Sequence, residues 1–269
     1  MSMDKRLDFR FEIQKPASGP LIELSPAEAE KILIKNVNEA GDDPRKALWQ
    51  LAQFYKLNKQ HEKALQRLRE LIALLPDPED KANCVFTMGQ AMEQVGDYAA
   101  AIRYYKEAVA LEPASMFTWY FIHNNLGFSL NTLGHFAEGE QYCHKAIQID
   151  PLRPDAHKNL GIALEKQGQY VEAARAYVAA TQANAADARA FGLLENLLKL
   201  HPELEYEFQD DLESCRKAVA AVAKKADAHK PAIHRGWRKQ MILLKMNLQS
   251  MVRRLRGRFK NGGIDSQRK

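Results

Sequence analysis

Cysteine, glycine and proline are all scarce in this chain of 269 residues. The three cysteines, Cys84, Cys143 and Cys215, are odd in number and far apart, so neither a disulfide framework nor a cysteine-ligated metal site is predicted. Only 14 glycines and 11 prolines are spread over the whole length. That composition favours helices joined by short connections over a β-sandwich, whose many turns need more of both residues.

Long apolar runs are also missing. No window approaches the roughly 18 consecutive apolar residues of a membrane-spanning helix, and residues 1–16 carry charges in place of the apolar core of a signal peptide. No Gly-rich phosphate loop, nucleophile–base arrangement or metal-ligand spacing is evident. His123 and His157 are interpreted as packing residues, because no acidic or cysteine ligand accompanies them. We therefore predict a cytoplasmic protein that is not an enzyme and holds no cofactor or metal.

Charge is distributed unevenly along the chain. From residue 224 to residue 269 there are 14 Lys and Arg against two acidic residues, a local balance of +12. The preceding 223 residues carry 25 basic and 32 acidic side chains, a balance of −7. The sequence thus predicts an acidic body followed by a strongly basic tail.

A repeated pattern of small and apolar residues runs through the acidic body. It starts at four small residues, Ala52, Gly89, Gly127 and Gly161. A second small residue follows 12 positions later in each copy, at Ala64, Ala101, Gly139 and Ala173. Four positions further on come Leu68, Tyr105, Cys143 and Tyr177, and the first three units end near Pro76, Pro113 and Pro151. Small residues at fixed spacing suit two antiparallel helices that cross closely, and proline ends the second helix.

This pattern resembles the tetratricopeptide repeat family over residues 45–187. The step from Gly127 to Gly161 is the 34-residue period of that family, whereas the two earlier steps of 37 and 38 residues predict lengthened connections near 77–79 and 115–119. The resemblance implies an all-α fold, a right-handed superhelical stack of antiparallel helix pairs (an α-solenoid), because one pair cannot bury its apolar face alone. The four predicted repeats occupy residues 45–78, 82–115, 120–153 and 154–187.

The segments outside the repeats are interpreted from local patterns. Residues 1–24 are predicted to form an extended arm, since apolar and polar residues alternate from Leu7 to Ile13. A leading helix over 25–44 begins with a capping box at Ser25 and Glu28, with proline at the first helical position. Residues 188–230 are predicted to form additional helices that cap the open end of the stack, and residues 231–269 a basic amphipathic helix and tail.

In the family that the repeats resemble, the first helix of each unit lines a concave groove that binds peptides. Carried over unit by unit, the resemblance implies a groove made of Trp49, Gln50, Gln53, Phe86, Gln90, Phe121, Asn124, Asn125, Phe128, Lys158 and Asn159. The same helices bring Lys56, Glu93, Asn131 and Glu165 to this face. Relatives use an asparagine ladder at the places of Asn125 and Asn159 to hold an extended peptide, and an amide suits this task because it donates and accepts at once.

The function predicted from this groove is a non-enzymatic scaffold that binds an extended peptide of another protein. Large, stiff aromatic side chains would add apolar anchors of the kind that dominate binding energy. The alternative is that the same face packs internally or mediates self-association.

The basic tail offers a second function. Its charged residues are Arg235, Arg238, Lys239, Arg253, Arg254, Arg256 and Arg258, which surround an apolar stripe that includes Trp237 and Met241. Such a helix would tether the protein to an anionic membrane, to nucleic acid or to an acidic partner, or else cap the stack with a solvated charged face. A further hypothesis places the tail in the protein's own groove until a ligand displaces it, because tail and body have opposite charges.

Overall fold

The computed structural model describes residues 25–228, which fold into eleven α-helices and one short 3-10 helix with no strand in that range. The predicted N-terminal arm and the basic helix over 231–269 lie outside the described residues. The helices are α1 (Pro26–Asn38), α2 (Arg45–Leu57), α3 (His61–Ile72), α4 (Pro78–Val95), α5 (Tyr98–Ala110), α6 (Met116–Thr132), α7 (Phe136–Ile149), α8 (Pro154–Lys166), α9 (Tyr170–Ala183), α10 (Arg189–Leu200) and α11 (Glu205–Ala228), with the 3-10 helix at Pro202–Leu204.

The helices pack as consecutive antiparallel pairs. The pairs are α2 with α3, α4 with α5, α6 with α7, and α8 with α9, and the second helix of each pair also packs on the first helix of the next. Among the first helices, α6 contacts both α4 and α8. The structure therefore confirms the predicted all-α stack of helix pairs, in which each unit buries its apolar face against its neighbours.

The turns inside three of the pairs use glycine in the left-handed conformation. Gly96, Gly134 and Gly168 have φ angles of 87°, 83° and 78°. The turn between α2 and α3 lacks a glycine, and Lys59 takes the same left-handed conformation at φ 58°. A residue with a Cβ is strained there, so this turn is the least favourable of the four.

The small residues lie where the two helices of a pair approach most closely. A Cβ added to Gly127 would meet the Sγ atom of Cys143 at 2.7 Å. At Gly89 and Gly161 a Cβ would fall on the rings of Tyr105 and Tyr177. Glycine is thus required at these three places because the facing side chain leaves no room for a Cβ atom. The repeated small residues found in the sequence therefore mark the points where the paired helices cross.

The second and third units are longer than 34 residues because their first helices are longer. α4 has 18 residues and α6 has 17, against 13 in both α2 and α8. The prediction of lengthened connections was wrong, since the extra residues form a helical turn at each N-terminus. Asp77 caps α4 with Pro78 at its first position, and the Ser115 hydroxyl caps α6 by accepting from the Thr118 N–H at 3.3 Å.

The C-terminal end of the stack is closed by α10 and α11, which pack on α9 and on each other. Phe208 and Cys215 of α11 are buried in one cluster with Leu194 of α10 and Tyr177 of α9. The predicted capping helices are therefore present. They cover apolar surface that the last repeat would otherwise expose.

Candidate functional site

The predicted groove residues lie on α2, α4, α6 and α8, the first helices of the four pairs, which we call the inner wall. Most of these side chains are half-buried: Trp49, Gln50, Phe86, Gln90, Phe121, Asn125, Phe128 and Lys158. Three are buried, with exposed fractions of 8% for Gln53, 7% for Asn124 and 3% for Asn159. The inner wall thus combines side chains that remain accessible with amides that face neighbouring helices.

A continuous chain of hydrogen bonds crosses the inner wall from α8 to α4. The Asn159 Nδ2 donates to Asn124 Oδ1 at 3.1 Å, and the Asn124 Nδ2 donates to Asn125 Oδ1 at 3.0 Å. The Asn125 Nδ2 in turn lies 3.4 Å from the Tyr105 hydroxyl, which donates to Glu93 Oε2 at 2.8 Å. Three neighbouring repeat units are therefore joined through polar side chains.

This network changes the expected asparagine ladder. Asn125 and Asn159 were expected to stand side by side with open amides, but the structure connects them through Asn124. Because α6 and α8 pack closely, the Asn159 amide is buried between them, and its backbone oxygen accepts from the Asn131 Nδ2 at 2.8 Å. Asn125 is the accessible member, whereas Asn124 and Asn159 hold α6 against α8.

A tyrosine–glutamate pair pins the two helices together in the second and fourth units. The Tyr105 hydroxyl donates to Glu93, and the Tyr177 hydroxyl donates to Glu165 Oε2 at 2.8 Å. Burial raises the pKa of Glu93, although the hydrogen bond from Tyr105 opposes that rise. In both units the tyrosine follows its glutamate by 12 residues, and this spacing is visible in the sequence. From the sequence, Tyr105 was identified only as one position of the repeat pattern, and the hydrogen bond was not predicted.

Two lysines of the inner wall already have partners. The Lys56 ammonium donates to Gln90 Oε1 across α2 and α4 at 3.1 Å, and burial lowers the pKa of Lys56. Lys158, predicted as a groove residue, forms an ion pair with Asp155 at 2.9 Å on its own helix. Neither lysine presents an isolated charge to a ligand.

The aromatic residues of the inner wall are positioned by other rings. Phe86 lies 5.8 Å from Tyr105 between ring centroids, and Phe128 lies 6.0 Å from Tyr98. Both remain half-buried. They are therefore fixed in place while part of each ring stays accessible.

Sequence reasoning missed an aromatic cluster at the start of α6. Phe117 is 63% exposed and packs on Phe121 with ring centroids 4.7 Å apart. The Arg153 guanidinium lies over the Phe117, Tyr120 and Phe121 rings at 5.4, 5.0 and 4.9 Å. Phe117 belongs to the additional turn of α6, which the prediction assigned to a connection, so its place on the helix could not be anticipated.

The histidine interpretation is partly supported. His123 is buried, and its Nδ1 lies 2.8 Å from the Trp119 backbone oxygen. His157 is only half-buried, with its Nε2 2.8 Å from the Pro151 oxygen.

Across residues 25–228, no three His, Cys, Asp or Glu side chains are grouped so as to hold a metal ion. Within the same range, no helix has the length and apolarity to cross a membrane.

Curated proteins with similar sequences carry one name. The photosystem I assembly protein Ycf3 of Prochlorococcus marinus (strain MIT 9215) is 30% identical over 104 residues, which are 38% of this chain and 60% of that protein. The protein of the same name from Acaryochloris marina (strain MBIC 11017) is 26% identical over 116 residues, covering 42% of this chain and 69% of that protein. The chain thus spans about 60% of the length of the first of these relatives.

Solved structures share the fold at lower identity. MamA 41-end from Desulfovibrio magneticus RS-1 is 17% identical with a TM-score of 0.53, covering 68% of this chain and 96% of that one. BtubC from P. vanneervenii is 16% identical with a TM-score of 0.61, covering 76% of this chain and 93% of that one. At these identities the likeness concerns the fold alone.

Two family models match the chain, both described as tetratricopeptide repeat. They align with residues 43–112 and with residues 131–197, and together they cover about half of the 269 residues. The matched stretches contain the α2–α3, α4–α5 and α8–α9 pairs and the crossings at Gly89 and Gly161, while most of α6 lies between the two matches. This chain belongs to the tetratricopeptide repeat family.

Proposed function

We propose that this protein is a non-enzymatic scaffold that binds an extended segment of another protein along the inner wall. The observation that carries the proposal is the set of half-buried side chains on adjacent first helices, above all Phe86, Gln90, Asn125 and Phe128. They are accessible, and yet they are held by neighbouring groups, so a ligand would find them already ordered.

The chemistry of these residues suits an extended peptide. An asparagine or glutamine amide can donate to a peptide carbonyl and accept from a peptide N–H, whatever the side chains of that peptide. Asn125 is oriented by its contacts with Asn124 and Tyr105. Phe86 and Phe128, half-buried on the same inner wall, add apolar surface, which supplies binding energy that amides alone do not.

The names of the relatives support a role in protein assembly. The Ycf3 proteins are named as photosystem I assembly proteins. We carry over from this only that the ligand is a protein, and we place the scaffold in the cytoplasm on the sequence argument given above.

Self-association through the inner wall is the competing possibility. Light scattering over a range of protein concentrations would reveal self-association as a molecular mass that rises with concentration.

The test compares matched double variants of the full chain in affinity capture. Phe86→Ala with Asn125→Ala should remove the partners that wild type retains, because both changes strip accessible groups from the inner wall. Arg103→Ala with Glu107→Ala alters exposed residues of α5, a second helix, and should retain those partners. Retention by the first variant, or loss by both, contradicts the proposal.

A second candidate function rests on the basic segment over 224–269, with its 14 basic and two acidic residues. An adaptor tethered through this segment should bind vesicles containing anionic lipids, and its binding should weaken as salt screens the charges. Replacing Arg253, Arg254, Arg256 and Arg258 by Gln should abolish that binding. Equal binding to neutral vesicles would exclude an electrostatic tether.

A further inference from the structure

Glu93 is a half-buried carboxylate in the last turn of α4, on the inner wall. Its Oε2 accepts the hydrogen bond from the Tyr105 hydroxyl at 2.8 Å. Within the part of the chain that the structure describes, its carboxylate forms no ion pair. A carboxylate that is partly removed from water without a cation is energetically unfavourable, and burial accordingly raises the pKa of Glu93.

The equivalent glutamate of the fourth unit differs in this respect. Glu165 accepts from Tyr177 in the same way, but the Lys166 ammonium lies 3.8 Å from Glu165 Oε1. In the second unit the residue after the glutamate is Gln94, which carries no charge. Lys56, on the preceding first helix, donates to Gln90 instead. Both units thus have the tyrosine–glutamate hydrogen bond, but only in the fourth unit does a lysine ammonium lie near the glutamate.

The surroundings of Glu93 suit a guanidinium group. The half-buried Phe86 ring lies 5.8 Å from the Tyr105 ring, which is fully buried, and Asn125 Nδ2 lies 3.4 Å from the Tyr105 hydroxyl. Phe86 is therefore the ring that a ligand can reach. A carboxylate next to aromatic rings is the environment in which arginine is preferred over lysine, because the planar guanidinium pairs with the carboxylate and stacks on a ring.

We propose that Glu93, together with Phe86 and Asn125, forms a binding site for an arginine side chain, and that the arginine run of this chain at residues 253–258 occupies it. Tyr105 is fully buried and holds the Glu93 carboxylate in place through its hydrogen bond. The proposal does not depend on the peptide partner proposed above. It means that the basic segment and a partner protein would compete for the same part of the inner wall.

Charge and reach both favour this segment as the occupant. The run supplies four arginines within six residues, in a segment of net charge +12 that follows a body of net charge −7. α11 ends at Ala228, and the 25 residues from there to Arg253 would span roughly 80 Å if extended and about 37 Å if helical. From α4 to α10 there are three steps between neighbouring first helices, roughly 30 Å at about 10 Å per step.

The experiment measures binding of a fluorescein-labelled peptide with the sequence of residues 249–260 to the full chain. The acceptor protein carries Arg253→Gln, Arg254→Gln, Arg256→Gln and Arg258→Gln, so that its own segment does not compete. Fluorescence anisotropy should show binding to this acceptor that weakens about tenfold when Glu93→Gln is added, as expected for loss of a charge-assisted hydrogen bond. Glu165→Gln, the matched control, should leave the affinity unchanged. Wild-type protein should bind the peptide more weakly than the acceptor does.

Each contrary result overturns the proposal. Equal effects of Glu93→Gln and Glu165→Gln would mean that the peptide responds only to the acidic body, and absence of binding would remove the site. A peptide with lysine at all four arginine positions should bind several-fold more weakly, and equal affinity contradicts the assignment to arginine. Phe86→Leu, which keeps apolar bulk but removes the ring, gives an independent check and should also weaken binding.

Discussion

At one position of each repeat unit, the side chain on the facing helix determines how large a residue can fit. Gly89 and Gly161 face tyrosine rings, and Gly127 faces Cys143. In the first unit, the equivalent place is taken by Ala52, which is fully buried in one cluster with Leu68. Glycine is therefore needed where a tyrosine ring or the Cys143 sulfur lies against the first helix, whereas the first unit, with Leu68, has room for the methyl group of Ala52.

Replacing Gly161 by Ala should destabilise the protein. The new Cβ would overlap the Tyr177 ring, and overpacking of this kind costs about 1–3 kcal/mol. Gly192→Ala is the matched control, since nothing lies within 4 Å of its added Cβ and it sits inside α10. That change should stabilise by about 0.5–1 kcal/mol. Urea denaturation of both variants measures the difference, and a stabilising Gly161→Ala would mean that the crossing is looser than described.

His123 makes stability depend on pH. Burial lowers the pKa of His123, with a smaller contribution from Lys145 and opposition from the Trp119 carbonyl. Since the folded pKa is then below the unfolded value of about 6.5, the unfolded state binds more protons as the pH falls through that value. Stability contributed by neutral His123 is present above about pH 6.5 and is lost below it.

The variant His123→Phe should therefore lose less stability than wild type between pH 7.5 and pH 5. Phenylalanine keeps an aromatic ring at this buried place but cannot take up a proton. His135→Gln changes an exposed histidine and should follow the wild-type profile. Chemical denaturation at the two pH values provides the comparison, and parallel profiles for all three proteins would rule out His123 as the cause.

At the scale of helices, the hydrogen bond from Asn159 to Asn124 holds α8 against α6. Asn159→Ala removes the donor to Asn124 Oδ1, and leaving a buried acceptor unpaired costs about 1–3 kcal/mol. Gln182→Ala, on an exposed position of α9, should be close to neutral. Urea denaturation of Asn124→Ala, Asn159→Ala and the double variant should give a coupling of about 1 kcal/mol. Additive effects would show that the two amides do not interact.

The sequence predicts most helix pairs but not how far each one extends. The spacing of Gly127 and Gly161 determines which helices pair, because that register reflects the crossing itself. The longer first helices were misread as longer connections, although Asp77 followed by Pro78 is a helix start signal that a closer reading would have recognised. A repeat period counts residues and does not say whether they are helical.

The exposure of the candidate site residues was beyond sequence reasoning for a different reason. Asn125 and Asn159 occupy equivalent places, yet only Asn125 is accessible. Their difference arises from the packing of α6 on α8, which depends on side chains of two units at once. The inner wall as a set of helices was predictable, but which of its amides remain open was not.

Across residues 25–228, stability is approximately the sum of contacts between neighbouring units, because the extensive helix contacts join adjacent pairs. α10 and α11 close one end of this series, α1 packs on α2 at the other, and Phe86, Gln90, Asn125 and Phe128 of the inner wall remain half-buried. The combination of a rigid stack and an accessible wall is what a scaffold requires. We therefore expect ligands of this protein to contact the inner wall.

Site-directed photo-crosslinking of the full chain shows whether ligands contact the inner wall. Benzoylphenylalanine in place of Phe128 puts the reactive group on the inner wall, and the same residue in place of Arg103 puts it on the exposed side of α5. In extract from the source cells, the Phe128 position should give discrete protein adducts that disappear when Asn125→Ala and Phe86→Ala are added, whereas the Arg103 position should not give them. The same adducts from both positions, or from Arg103 alone, would contradict the account.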